Sequence, residues 1–335
     1  MRRSVVLLAA ALFTAALTVP PAVAADGEDE HRGFTIKDPR ITESSGLTAS
    51  RQHPGIYWTH NDSDDGAFLY AVDSATGETV ATVTLAGVGT PRDVEAISIG
   101  PDDQIYVGDI GDNLGGTWDH VWIYRLPEPK ELKDRTIRAT QYDVQYSDGA
   151  RDAESLVVHP TTGRVYIVDK NSEGGHLYEG PAELSTSGMN VFKPLAAVPD
   201  LEATDAALAP DAGHLVVRSY FGALAYEWND GKLKRLERLN VPTGFVQGES
   251  VTYTADGTKL MYGAEGKGSQ VLPEDPPGGG SGGSGGSGSG SDSGSGSDSG
   301  SGALGEGRSL SVGAGALAVV VAAALLLGAR RRRRR

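Results

Sequence analysis

Between residues 33 and 275 apolar positions alternate with polar ones in short runs. Each run is bounded by a Gly, Pro, Asn or Asp cluster, and the three-to-four-residue spacing of an amphipathic helix is missing. This pattern predicts strands, and the strands recur in register. Five times an acid or a serine is followed two residues later by an apolar residue opening a strand, then a turn, then a second strand. The copies begin at Ser45 (SGLTAS), Glu95 (EAISIG), Glu154 (ESLVVHP), Asp205 (DAALAP) and Glu249 (ESVTYT). Their second strands carry Tyr57, Tyr106, Tyr166, Val216 and Met261, and third strands place Tyr70, Tyr124, Tyr178 and Tyr226 at one common step.

Copies spaced by tens of residues, each with about four predicted strands, are the blades of a β-propeller. In the second copy the strands are predicted at 95–99, 105–109, 121–126 and 136–146. The fifth copy runs out after three strands, which would leave an open edge. The orphan strand Phe34–Lys37 (FTIK) is expected to fill that gap and close the ring. The fold class expected is therefore all-β, a five-bladed β-propeller over residues 25–275 closed by an N-terminal strand, with a C-terminal single-pass transmembrane helix.

The ends of the chain read differently. Residues 1–24 have a basic start (Arg2, Arg3), an apolar run and Ala22-Val23-Ala24, the pattern of a secretory signal peptide. Residues 276–308 are almost pure Gly and Ser, a composition that predicts a disordered linker. Residues 309–329 hold a run of twenty apolar and small residues, enough at the helical rise to span roughly 30 Å of bilayer core. The six arginines 330–335 place that end in the cytoplasm and the propeller outside. This layout resembles wall-sorting signals, but the cleavage motif is absent before the span, and Leu272-Pro273-Glu274-Asp275 lies far upstream. A retained anchor at the cell surface is expected.

Composition narrows the function. The net charge is -14, and removing the basic ends leaves residues 25–275 at -20, from 21 basic and 41 acidic side chains. Such a surface repels nucleic acid and attracts cations. The chain has no cysteine, so an exported domain must be held by packing or metal.

First strands line a propeller's tunnel, so Ser45, Glu95, Glu154, Asp205 and Glu249 are expected to converge on one axis. Four carboxylates about 6 Å apart would repel by on the order of 10 kcal/mol in sum. Either protons or a cation must answer that charge, and a ring of hard oxygens suits calcium better than zinc. A structural alternative is that the acids bond backbone amides and hold the blades in register. A second set two residues earlier (Glu43, Asp93, Asp152, Ala203, Gln247) shares the same face.

A tunnel position reading Ser, Glu, Glu, Asp, Glu resembles the calcium-activated nucleotidase (apyrase) family of five-bladed propellers, whose central calcium is held by Ser, Glu, Glu, Ser, Glu. The resemblance implies calcium ligands at Ser45, Glu95, Glu154, Asp205 and Glu249, with Asp205 departing from the family's serine. The surrounding segments (ESSGL, HND, DVEAI, GDIGDN, DAESL) look more like exported bacterial propellers of the WD40-like, phytase-like and esterase-like groups.

Loops after the second strands crowd the same face. Arg92, Arg151, Lys170 and Arg218 would favour a phosphate or carboxylate ligand there, and His60, Asp109 and Asp169 are candidates for a base on polarised water. Nucleophile-elbow, Walker, HExxH and EF-hand patterns are absent. Two functions remain. One is a cell-surface ligand-binding or scaffold module whose partner is an extracellular small molecule or envelope component. The other is a calcium-dependent hydrolase of phosphate or ester bonds.

Overall fold

The computed structural model describes residues 31–63, 65–245 and 247–278. The expected signal peptide, most of the linker, the membrane helix and the arginine tail lie outside the described residues. Among those described, no helix is long and apolar enough to cross a membrane.

The described chain is all-β apart from one short 3-10 turn at Pro101–Asp103. It opens with β1 (Phe34–Thr35). Next comes an antiparallel meander of β2 (Ser44–Ala49), β3 (Ile56–Asn61), β4 (Phe68–Asp73) and β5 (Thr79–Ala86). A second meander has β6 (Val94–Ile99), β7 (Gln104–Asp109), β8 (Val121–Pro127) and β10 (Thr140–Tyr146), while the intervening β9 (Arg135–Arg138) joins the first sheet beside β5. The third has β11 (Ala153–Val158), β12 (Val165–Asp169), β13 (Gly175–Glu179) and β14 (Asn190–Val198). The fourth has β15 (Asp205–Leu208), β16 (His214–Ser219), β17 (Gly222–Asn229) and β18 (Lys232–Leu239). The last has β19 (Gly248–Tyr253), β20 (Leu260–Ala264) and β21 (Gln270–Glu274), with β1 as its outer strand through Phe34↔Val271 and Thr35↔Gln270. The orphan N-terminal strand thus pairs where the open edge required it.

The sheets stand in a propeller-like arrangement. The strands that open the meanders pack side by side in a closed cycle, β2 to β6 to β11 to β15 to β19 and back to β2. Buried clusters fill the spaces between neighbouring sheets. Trp58, Leu69 and Val83 meet Ile97, Ile105 and Tyr124. Ile123 and Val144 meet Leu156 and Tyr178, Val168 and Leu177 meet Leu215 and Trp228, and Val216 and Ala223 meet Val251 and Tyr262. The closing contact sets Phe34, Ile36 and Ile41 beside Tyr57, Val72 and Met261. Each fully buried large side chain contributes about 1.5–3 kcal/mol, so the repeat holds together through its neighbours.

Residues 136–146 differ from their expected single strand. The chain breaks at Ala139 because it serves two sheets: β9 pairs parallel with β5 (Val83↔Arg135), and β10 pairs with β8 (Thr140↔Arg125). On its other side β10 pairs parallel with β14 (Val144↔Asn190), joining two meanders edge to edge. These pairings cover edges that would otherwise template aggregation. The outer strand β18 (KLKRLERL) is instead exposed and charged, another way of blunting an edge.

Candidate functional site: a buried acidic ring with one ammonium

Strands opening the meanders run antiparallel to their partners, so their N-terminal ends share one end of the molecule with the loops that follow β3, β7, β12, β16 and β20. At that end four of the five opening strands break their ladder. The register shifts between Ser44 and Leu47, Val94 and Ala96, Ala153 and Ser155, and Gly248 and Val251. Each shift spans a predicted ring residue, Ser45, Glu95, Glu154 or Glu249, and a bulge re-aims a side chain out of the regular alternation. Asp205 is the exception, since β15 pairs with β16 without a shift. Further along, the same strands line a small pocket of about 60 Å³ bounded by Thr48, Ser98, Val158, Leu208 and Thr252.

All five ring residues are buried. Ser45 Oγ donates to Glu95 Oε2 at 2.9 Å and lies 3.3 Å from the Glu95 carbonyl. Lys170 Nζ donates to Glu154 Oε1 and, at 2.7 Å, to the Tyr220 hydroxyl. Gln247 Nε2 donates to Glu249 Oε1 at 2.5 Å. Asp205 turns its two oxygens to backbone, accepting from Ala206 N and Val251 N at 2.8 Å each. Thr204 Oγ1 donates to the Glu249 carbonyl at 2.9 Å, a second tie between the same two sheets. Glu154 Oε2 is buried with no hydrogen-bond partner.

Burial raises the carboxyl pKa of Glu95 well above the ordinary range, with Glu154 adding to the effect. Burial also raises Glu154, against the pull of Lys170. Asp205 is raised by burial in spite of its two amides. Glu249 is pushed up to about 7, again by burial first. For Lys170 burial works the other way, but Glu154 and Tyr220 outweigh it and the ammonium is held protonated. The ring's repulsion is eased by hydrogen bonds and one lysine, and burial favours the protonated carboxyls.

The other expected residues separate into two groups. Asp109 is fully buried and accepts from Arg92 N, from Asp93 N and from the Tyr124 hydroxyl at 2.6 Å. Asp169 accepts from His176 N at 2.5 Å and faces Arg151 Nη1 at 3.4 Å. Asn61, at the matching place in the first meander, accepts from Thr42 N and Glu43 N. These side chains hold the loop backbone at the ring end. His60 lies under the ring against Gly46, where an added Cβ would come within 2.5 Å of Nε2. Burial lowers its pKa to about 4, so it is neutral at physiological pH.

Two of the four cationic candidates bond none of the ring acids. The Arg92 guanidinium stacks on Trp118 and Trp122 at 4.1 and 3.7 Å from the ring centroids and donates to the His120 carbonyl. Arg151 pairs with Asp148 at 2.6 Å over the Tyr178 ring. Arg218 is completely buried, bonded to the Ser250 and Gly263 carbonyls, and burial draws its pKa down to about 10. Gly248 leaves the room that this guanidinium fills. Lys170 alone of the four bonds a ring acid. In the second set, Asp93 accepts from Asn113 Nδ2, Asp152 from Asp112 N, and Gln247 serves Glu249. Tyr220 was not singled out as a site residue by the sequence, because a lone tyrosine after a strand carries no motif.

Calcium takes six to eight oxygens at roughly 2.3–2.6 Å. Here the Ser45 hydroxyl is used on Glu95, both Asp205 oxygens are used on amides, and Glu154 already holds an ammonium. Among the described residues no three His, Asp or Glu side chains form a metal-holding group. As arranged, this donor set does not fit a calcium ion.

No protein-family model matches the chain, and no curated protein matches it by sequence. Several solved structures are similar to it. Escherichia coli soluble aldose sugar dehydrogenase is 10% identical over 72% of this chain and 98% of its own, with a TM-score of 0.46. The PQQ-bound aldose sugar dehydrogenase of Streptomyces coelicolor is 12% identical over 72% and 98%, at 0.41. The WD40 repeats of RRP9 are 9% identical over 72% and 97%, also at 0.41. The likeness is one of β-propeller and WD40-like fold.

Proposed function

We propose that this chain is a five-bladed β-propeller displayed outside the cell on a C-terminal membrane anchor. In this reading it works as a ligand-binding module for an extracellular small molecule or envelope component. The blade number is supported by the cycle of opening strands and by the buried cluster at each junction. One observation carries the binding reading: the three candidate bases at the ring end are buried inside the protein. Asp109 and Asp169 are fixed to backbone amides, and His60 is buried. A general base needs reach to its proton, and all three side chains are buried. Phe221 and Leu114, 70% and 59% exposed in the loops after β16 and β7, supply contact surface at the same end.

The second reading, a calcium-dependent hydrolase, draws on Glu95. Burial raises its carboxyl pKa, toward the protonated form that a general acid requires. One experiment separates the two. The purified full-length chain is assayed on nucleotides, phytate, phosphomonoesters and lactones with and without calcium, and in parallel is co-sedimented with isolated cell envelopes. The binding reading expects no turnover and retention on envelopes that Phe221→Ser weakens. Turnover abolished by Glu95→Gln in a folded protein would replace it with the hydrolase.

A further inference from the structure

The geometry assigns to Lys170 the place a metal ion would take: its ammonium is the resident cation of the acidic ring, and the ring accepts a divalent ion only when that ammonium is gone. This holds whether or not the mouth binds a ligand. Lys170 follows β12, and its backbone N–H bonds the Asp152 carbonyl at 2.9 Å. Three other loops make the same bond: Asp62 N to the Glu43 carbonyl, Gly111 N to Asp93 and Glu265 N to Gln247, at 3.0, 3.2 and 3.1 Å. The structurally matching positions are therefore Asp62, Gly111, Lys170 and Glu265, and of these four only Lys170 is positive. At Gly111 an added Cβ would come within 2.8 Å of both the Asp93 carboxylate and Glu95 Cγ, so no side chain fits at that position. Among the described residues, Lys170 is the cation whose side chain bonds a ring acid.

The Lys170 side chain is 14% exposed and bridges Glu154 of one sheet to Tyr220 of the next. An ammonium has three donors, and only two are taken by Glu154 and Tyr220. Glu154 Oε2 is buried and unpartnered, an oxygen open to a cation once the ammonium is gone. Removing the ammonium would leave Glu95, Glu154 and Glu249 buried with no cation among them. A hard divalent ion is the oxygen-seeking guest that such a set selects.

The test is metal analysis of full-length protein purified without chelator, with thermal unfolding in EDTA and in calcium, for wild type, Lys170→Arg and Lys170→Met. Wild type and Lys170→Arg are expected to carry no stoichiometric divalent metal and to melt at one temperature in both buffers. Lys170→Met is expected to melt roughly 5 °C higher in calcium than in EDTA, as a ligand that binds only the folded state requires. Stoichiometric calcium in the wild type, with a melting temperature that EDTA lowers, overturns the inference. So does a folded Lys170→Met that ignores calcium. If Lys170→Met does not fold, the wild-type and Lys170→Arg measurements decide the matter.

Discussion

Replacing Glu249 with glutamine should stabilise the protein above neutral pH. The carboxyl is buried and its pKa rises from 4.5 to about 7 on folding. Between those values the folded chain holds a proton that the unfolded chain releases. Stability from this group is thus full below pH 4.5, falls as pH rises through the window, and stays lower above it. At about 1.4 kcal/mol per pKa unit the gap is worth roughly 3 kcal/mol, with little solvent screening to discount at so buried a site. Glutamine keeps the acceptor for Gln247 Nε2 and cannot ionise. Urea unfolding of both proteins at about pH 5 and about pH 8 reads the effect directly. The variant should gain up to roughly 3 kcal/mol on the wild type between the two conditions. Parallel pH profiles, or a variant that loses ground at high pH, would refute the reasoning.

His60 bends the profile at the other end. Its pKa falls from 6.5 to about 4 on folding, so its contribution is full above 6.5 and lost as pH drops through that range; His60→Gln should flatten the acid limb of the same titration. Ser45→Ala removes the hydroxyl donor to Glu95 and should cost about 1–2 kcal/mol in denaturant unfolding. Asp109→Ala leaves two backbone N–H groups and the Tyr124 hydroxyl unpaired, for a loss of about 3 kcal/mol or more, whereas Tyr124→Phe should cost only about 1. Phe34→Ala weakens the closing strand where it packs on Tyr57 and Val271, and should lower stability by about 3 kcal/mol with no change in metal content.

The strand repeat was legible because alternation and turn residues encode it locally. Tyr57, Tyr106 and Tyr166, and Tyr70, Tyr124, Tyr178 and Tyr226, are buried where their common offsets put them. The closing role of Phe34 was legible too, from the missing outer strand of the fifth copy. What escaped depends on contacts remote in sequence. Residues 136–146 read as one strand, because nothing local reveals that β9 and β10 answer to different sheets. The bulges that re-aim Ser45, Glu95, Glu154 and Glu249 leave no mark in the alternation. Burial of the five ring positions was foreseeable, but their partners were not: Lys170 is sixteen residues from Glu154 and fifty from Tyr220. Arg92, Arg151 and Lys170 look alike in sequence, yet aromatic stacking and an outlying aspartate claim the first two.

The central claim is that acids brought together by the cycle of opening strands are neutralised from within. A crystal structure of the protein grown near neutral pH in calcium-containing buffer tests it most directly. The account predicts Lys170 Nζ on Glu154 and the Tyr220 hydroxyl, Ser45 Oγ on Glu95, and no ion among them. An ion coordinated by Ser45, Glu95, Glu154, Asp205 and Glu249, with Lys170 swung out to solvent, would contradict it.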